Sequence, residues 1–198
     1  MRLIHALLAA LAVFTAACGA SGPASARTES AVFAGGCFWC TEADFEKIPG
    51  VVSAVSGYTG GTLANPTYEN HAGHLEAVRV IYDPAKVSYA QLVSRYWTTI
   101  DPTDDRGQFC DKGPAYRTAV FVSSPAQRQL AEVSRARAAA ILKQPVVTPV
   151  RDAARFWPAE GYHQDYAKKN PLRYNVYRSG CRRDARLKAL WDGRKDVR

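Results

Sequence analysis

The chain has 198 residues, enough for one domain with a substantial core. Hydrophobic residues make up 47% and charged residues 22%, the balance of a soluble globular protein. The formal charge of +8 raises the question of a nucleic-acid partner, but its distribution argues against one. Much of the excess is C-terminal (Arg182, Arg183, Arg186, Lys188, Arg194 and Lys195), is interleaved with Asp184, Asp192 and Asp196, and comes with no groove-reading motif.

In chain order, Arg2 precedes an uncharged apolar run over 6–17, too short to span a bilayer and suited to the h-region of a signal peptide. Ala24-Ser25-Ala26 supplies a small-x-small cleavage site, so residues 1–26 read as a leader and 27–198 as the working domain. Ala16-Ala17-Cys18-Gly19 offers an alternative, a lipoprotein box with lipid on Cys18, although Thr15 stands where a larger aliphatic residue is usual. Either leader predicts export to the periplasm or cell envelope, with membrane contact only through a lipidated Cys18.

A short strand is expected over 30–34, ending at Gly35-Gly36, then a helix over 38–47 stopped by Pro49-Gly50. Strands follow over 51–58 and 75–82, the second closed by Asp83-Pro84. Ser88 and Gln91 form a capping-box pair. The helix they open carries Tyr89, Leu92, Val93, Tyr96, Trp97 and Ile100, one apolar stripe at helical spacing. A strand over 118–122 and a helix from Ser124-Pro125 to about 142 come next, then a strand over 146–150. The remainder, rich in Tyr, Pro and Arg, reads as irregular until a short helix over 184–191. Strands and helices without regular alternation predict an α+β fold. We expect a single domain with a mixed β-sheet packed with helices in a two-layer arrangement related to the ferredoxin-like one.

Five cysteines occur: Cys18, Cys37, Cys40, Cys110 and Cys181. The four beyond the leader allow three pairings, and sequence alone does not choose among them. The sharpest chemical signal is Gly35-Gly36-Cys37-Phe38-Trp39-Cys40, at a strand–helix junction. A thiol at a helix N-terminus faces unpaired N–H groups and the positive end of the dipole, and both favour the nucleophilic thiolate. The glycines permit close approach of another molecule to the backbone. Cys40 lies about one turn along, so a disulfide with Cys37 or a sulfenate-resolving role is geometrically reasonable; two buried structural cysteines are the alternative. Glu76, on an apparently interior strand, shares its face with Val78, Val80 and Tyr82. Desolvation there keeps a carboxyl protonated and able to donate, unless it pairs with Arg79 or another base. Tyr68, Asp111 and Tyr116 lie in turn-rich segments and carry no assignment from spacing alone.

Gly36-Cys37-Phe38-Trp39 resembles the signature of the A-type peptide methionine sulfoxide reductases. The resemblance continues in order through Gly57-Tyr58-Thr59-Gly60-Gly61, Asn65-Pro66-Thr67-Tyr68, Gly73-His74-Leu75-Glu76, Gly113-Pro114-Ala115-Tyr116-Arg117 and Tyr162-His163-Gln164-Asp165-Tyr166. It implies that Cys37 attacks the sulfur of methionine S-sulfoxide, free or in proteins. Glu76 then supplies the proton to the sulfoxide oxygen, helped by the Tyr68 and Tyr116 hydroxyls. Phe38 and Trp39 form the pocket for the methyl group, and Asp111 binds the substrate backbone or positions the site. Cys37 becomes a sulfenic acid. A resolving cysteine, Cys40 or Cys181, attacks it, and thioredoxin or a similar dithiol reduces the disulfide. No metal or bound cofactor is implied, and the chain is expected to act as a monomer. Many members have Gly where Cys40 stands, so this sequence resembles the subgroup with the Gly-Cys-Phe-Trp-Cys motif. Two rivals remain. A thioredoxin-like disulfide oxidoreductase shares the Cys-x-x-Cys junction. A zinc module would use Cys37 and Cys40 with His71 and His74. His163 reads as a satisfied structural histidine.

Overall fold

The computed structural model describes residues 27–194. The expected leader, with the 24–26 cleavage site and Cys18, lies outside the described residues, as do residues 195–198 of the basic tail. The elements are β1 (Glu29–Gly35), α1 (Phe38–Phe45), β2 (Val51–Thr59), β3 (Leu75–Tyr82), α2 (Tyr89–Trp97), β4 (Gly107–Gln108) and β5 (Asp111–Lys112). A 3-10 turn at Pro114–Tyr116 leads into β6 (Thr118–Val122), α3 (Pro125–Leu142), β7 (Val150–Asp152), β8 (Trp157–Pro158), α4 (Tyr166–Lys169), α5 (Pro171–Gly180) and α6 (Arg183–Trp191).

One mixed sheet runs in the order β7-β6-β1-β3-β2-β8. Among the described residues only β6 and β7 pair in parallel. The fold is therefore α+β, as expected. β3 is interior, with β1 on one side and β2 on the other. Its alternation separates two apolar layers. Val78, Val80 and Tyr82 join the main core with Phe33, Leu92 and Trp97. Leu75 and Ala77 face a smaller cluster with Ala119 and Phe121 on the other side of the sheet. Glu76 has the parity of the first set, so its side chain points to the helical layer.

The helical layer is anchored by α2. Ser88 caps it in both directions expected of a capping box: Gln91 N–H donates to Ser88 Oγ (3.3 Å) and Ser88 N–H donates to Gln91 Oε1 (2.8 Å). All six residues of the predicted stripe, Tyr89 to Ile100, are buried. Full burial of such side chains stabilises by about 1.5–3 kcal/mol each before the ordering entropy is subtracted. The Tyr96 hydroxyl donates to Ala34 O (2.7 Å), which locks α2 to the end of β1 where the Cys37 turn begins.

Three expectations needed correction. The helix starting at Phe38 ends at Phe45 rather than at residue 47. The strand expected over 146–150 forms instead at Val150–Asp152. Pro149 has no N–H to give a ladder, although its carbonyl accepts from Val120 N–H (3.0 Å). The region expected to be irregular contains β8, α4 and α5. On α5 only Tyr174 is buried while Leu172 and Val176 are exposed, so no apolar stripe announces the helix. Pro171 at its first turn is the signal that could have found it.

Candidate active site

Cys37 is delivered to the helix start by a turn that only glycine fits. Gly36 has φ +79°, and a Cβ there would lie 2.5 Å from the Gln108 Cβ. The room at Gly36 is thus used by the chain's own Gln108, not left for another molecule. Gln108 is fully buried: its side-chain oxygen accepts from Asp101 N–H (2.8 Å), and its amide donates to Asp101 O and Gly107 O (both 2.8 Å). Cys37 O opens the helix by accepting from the N–H groups of Cys40 and Thr41 (both 3.2 Å).

Glu76 is 1% exposed. Its Oε2 accepts a hydrogen bond from Phe38 N–H (2.9 Å), the first free amide of α1. Arg79 does not neutralise it: that side chain leaves the opposite face of β3 and lies over the Phe156 ring at 4.9 Å. Burial pushes the Glu76 carboxyl up to about 8, against the lowering effect of the Phe38 hydrogen bond. The group therefore carries its proton near neutral pH.

The two sulfurs behave differently from the expectation drawn from the helix dipole. Cys37 and Cys40 are free thiols, both buried, and hydrogen-bonded to each other. Burial pushes the Cys37 thiol up, and the sulfur of Cys40 and the carboxyl of Glu76 add to the rise. The amide that would have faced the Cys37 thiolate is already committed to Glu76. Cys40 is instead the lowered partner, at about 7, held there by the hydrogen bond from Cys37 and by the charges of Arg183 and Arg178. Arg183 is itself 1% exposed, with Nη2 donating to Thr99 O (2.7 Å) and Gly35 O (3.3 Å).

Tyr68, Tyr116 and Asp111, which spacing left without a role, converge here. The Tyr68 and Tyr116 hydroxyls lie near each other, and both face Glu76 and Cys37. Both phenols are raised, by burial first and by the neighbouring Glu76 carboxyl once it ionises, so both remain hydrogen-bond donors. Asp111, on β5, faces Glu76 and accepts a hydrogen bond from the Tyr177 hydroxyl on its Oδ2 (2.5 Å). Phe38 and Trp39 form an aromatic wall. Trp39 stacks on Tyr166 (3.7 Å between centroids, 6°), and its Nε1–H donates to His163 Nδ1 (3.0 Å). Phe38 packs against His163 (4.9 Å) and Tyr58 (5.8 Å). His163 is 2% exposed and lowered by burial, so its Nδ1 is a neutral acceptor that orients Trp39; its buried Nε2 has no hydrogen-bond partner among the described residues, so the histidine is only half satisfied.

Other expected groups lie elsewhere. Cys181 is joined to Cys110 in a disulfide between the β4–β5 turn and the end of α5. His74 uses both ring nitrogens internally, on Gly61 N–H (3.3 Å) and Leu63 O (2.9 Å), and His71 Nδ1 is bonded to Thr67 O (3.0 Å). Neither is brought to the cysteine pair. Tyr166, Tyr177, Gln108 and Arg183 were missed as site residues. Only Tyr166 stood inside a motif quoted for the resemblance.

A buried dithiol beside a protonated carboxylic acid, phenol donors and an aromatic wall defines a thiol-dependent reductase. The chain belongs to the peptide methionine sulfoxide reductase family, whose model matches residues 29–195. It is 57% identical over 199 residues to the peptide methionine sulfoxide reductase MsrA 2 of Caulobacter vibrioides, covering 97% of this chain and 99% of that one. It is 53% identical over 172 residues to the protein of the same name from Rhizobium meliloti, covering 86% and 87%. Among solved structures, methionine sulfoxide reductase A of Corynebacterium diphtheriae superposes with a TM-score of 0.65 at 32% identity, over 77% of this chain and 78% of that one.

Proposed function

We propose that this enzyme reduces methionine S-sulfoxide, free or in proteins, to methionine, with Cys37 as the nucleophile. The observation that carries the reading is the 2.9 Å hydrogen bond from Phe38 N–H to Glu76, which fixes a buried acid beside the residue that follows Cys37. The Cys37 sulfur attacks the sulfoxide sulfur while its proton passes to the Cys40 thiolate. Glu76 protonates the sulfoxide oxygen, and Tyr68 and Tyr116 donate hydrogen bonds to that oxygen. Phe38 and Trp39 receive the methyl group, and Asp111 positions the site. The S–O bond of the substrate breaks, methionine leaves reduced by two electrons, and Cys37 holds the oxygen as a sulfenic acid. Cys40 then attacks the Cys37 sulfur. Its thiol proton and the sulfenic hydroxyl leave as water, and a Cys37–Cys40 disulfide forms. Thioredoxin or a similar dithiol returns the two electrons, and Glu76 regains a proton from solvent.

Cys40 is favoured as the resolving residue because it is free, in contact with Cys37 and the more acidic of the two. Cys181 would act only after its bond to Cys110 had been opened. Export to the periplasm or cell envelope, and repair of oxidised proteins there, rest on the sequence of residues 1–26.

The test supplies the purified enzyme, with a dithiol, separately with a peptide carrying the S-sulfoxide, the same peptide carrying the R-sulfoxide, and a disulfide-bonded protein. Methionine is expected from the S epimer alone. Rapid disulfide reduction with no methionine formed would instead identify a thioredoxin-like oxidoreductase.

A further inference from the structure

Tyr177, on α5, packs against the cluster that holds the reacting sulfur, and none of the steps above uses it. Its hydroxyl donates to Asp111 Oδ2 (2.5 Å) and lies within hydrogen-bond reach of the Cys37 sulfur. Its ring packs with the cluster formed by Cys37, Cys40 and Tyr174, and meets Trp39 edge-on at 5.9 Å. The phenol therefore has one hydrogen and two acceptors. While Cys37 is a thiol, that hydrogen belongs to the carboxylate. When the Cys37 proton leaves, the sulfur becomes the stronger claimant, and Asp111 keeps the phenol oxygen in place for it. Burial and the two anionic neighbours push the Tyr177 phenol well up, so it acts as a donor and never as a base.

The two residues of this grip are held by the disulfide. Asp111 directly follows Cys110, and Tyr177 lies one helical turn before Cys181, whose N–H donates to Tyr177 O (3.0 Å). The bond joins segments 71 residues apart in sequence, with Cα atoms 4.9 Å apart. Besides the disulfide, the β4–β5 turn is tied to the end of α5 by the Tyr177–Asp111 hydrogen bond and to the start of α6 by Phe109, whose ring lies 4.5 Å under the Arg183 guanidinium; Cys110 is exposed, and α5 buries only Tyr174.

We propose that Tyr177 is a further catalytic residue, donating a hydrogen bond to the Cys37 sulfur as it ionises, and that the Cys110–Cys181 disulfide is the brace that keeps the Asp111–Tyr177 pair on that sulfur. This rests on the reading of Cys37 as the nucleophile.

The experiment is a single turnover of S-sulfoxide peptide on enzyme prepared with Cys37 and Cys40 reduced and the Cys110–Cys181 bond intact, with no dithiol added. Tyr177→Phe is expected to slow methionine formation at least tenfold. It should also move alkylation of Cys37, measured in a Cys40→Ser background, to higher pH. The groups that face Cys37 in that profile are Glu76 from β3, Asp111 from β5, Tyr177 from α5, and Tyr68 and Tyr116 from the loops. The double variant Cys110→Ser/Cys181→Ser is expected to slow the step less, and to add nothing when combined with Tyr177→Phe, because both changes act through one hydroxyl. An unchanged rate and alkylation profile in Tyr177→Phe overturns the catalytic role. Additive losses in the combined variant overturn the brace. If Tyr177→Phe does not fold, the disulfide variant still decides: a rate equal to that of the parent overturns the proposal. A parent enzyme that forms no methionine indicts the reading of Cys37 and not Tyr177.

Discussion

Glu76→Gln should lower the rate of methionine formation by about 10²–10³-fold, the range of a lost general acid, while leaving the fold intact. Glutamine keeps an oxygen for the Phe38 N–H and removes a buried acid whose proton the reaction needs. Single-turnover kinetics checks the rate, and circular dichroism with thermal unfolding checks the fold. The pH dependence carries the sign. Glu76 acts in its protonated form and its pKa is raised to about 8, so oxygen transfer falls as pH rises through about 8. Cys40 accepts the Cys37 proton as a thiolate and is lowered to about 7, so the rate rises as pH passes through about 7. The two limbs enclose a narrow optimum, and as macroscopic values they belong to the coupled site. In Glu76→Gln the falling limb should vanish and the rising limb remain. A profile in the variant identical to that of the parent would remove Glu76 from the proton path.

The second large effect is on turnover. Cys40→Ser should still form one methionine per chain and then stop, because the sulfenic acid on Cys37 has lost the thiol next to it. Steady-state reduction driven by thioredoxin should fall to a small residue, and the rising limb near pH 7 should be lost with the thiolate that produced it. The decisive observation is the disulfide map after one turnover. Undiminished turnover in Cys40→Ser, with a Cys37–Cys181 bond and a free Cys110, would transfer the resolving role to Cys181.

Much of this site was legible because its residues announce themselves locally. Cys37 sits at a glycine-marked junction, and Glu76 is a carboxylate on a strand apolar on both faces. The capping box and stripe of α2 specify a helix without help from the rest of the fold. Tyr68, Tyr116 and Asp111 came from the family resemblance, since nothing in their loops says that they meet. Tyr177 and Arg183 were invisible for a physical reason. They act across contacts 66 to 148 residues long in sequence, from helices whose patterning is weak. The charge on Cys40 was missed in the same way. A helix dipole is read from position, but the amide at Phe38 is claimed by Glu76, and the cations that favour Cys40 come from α5 and α6. The Cys110–Cys181 bond was one of three possible pairings, and only the tertiary packing of α5 selects it.

The central claim, that the Cys37 sulfur receives the sulfoxide oxygen, is tested most directly in the Cys40→Ser variant. The variant is mixed with S-sulfoxide peptide in the presence of a carbon nucleophile that labels sulfenic acids, and the labelled residue is located by mass spectrometry. The label is expected on Cys37 in an amount matching the methionine formed, with none when the sulfoxide is omitted. Methionine formed while Cys37 stays unlabelled, unbridged and a free thiol would contradict it.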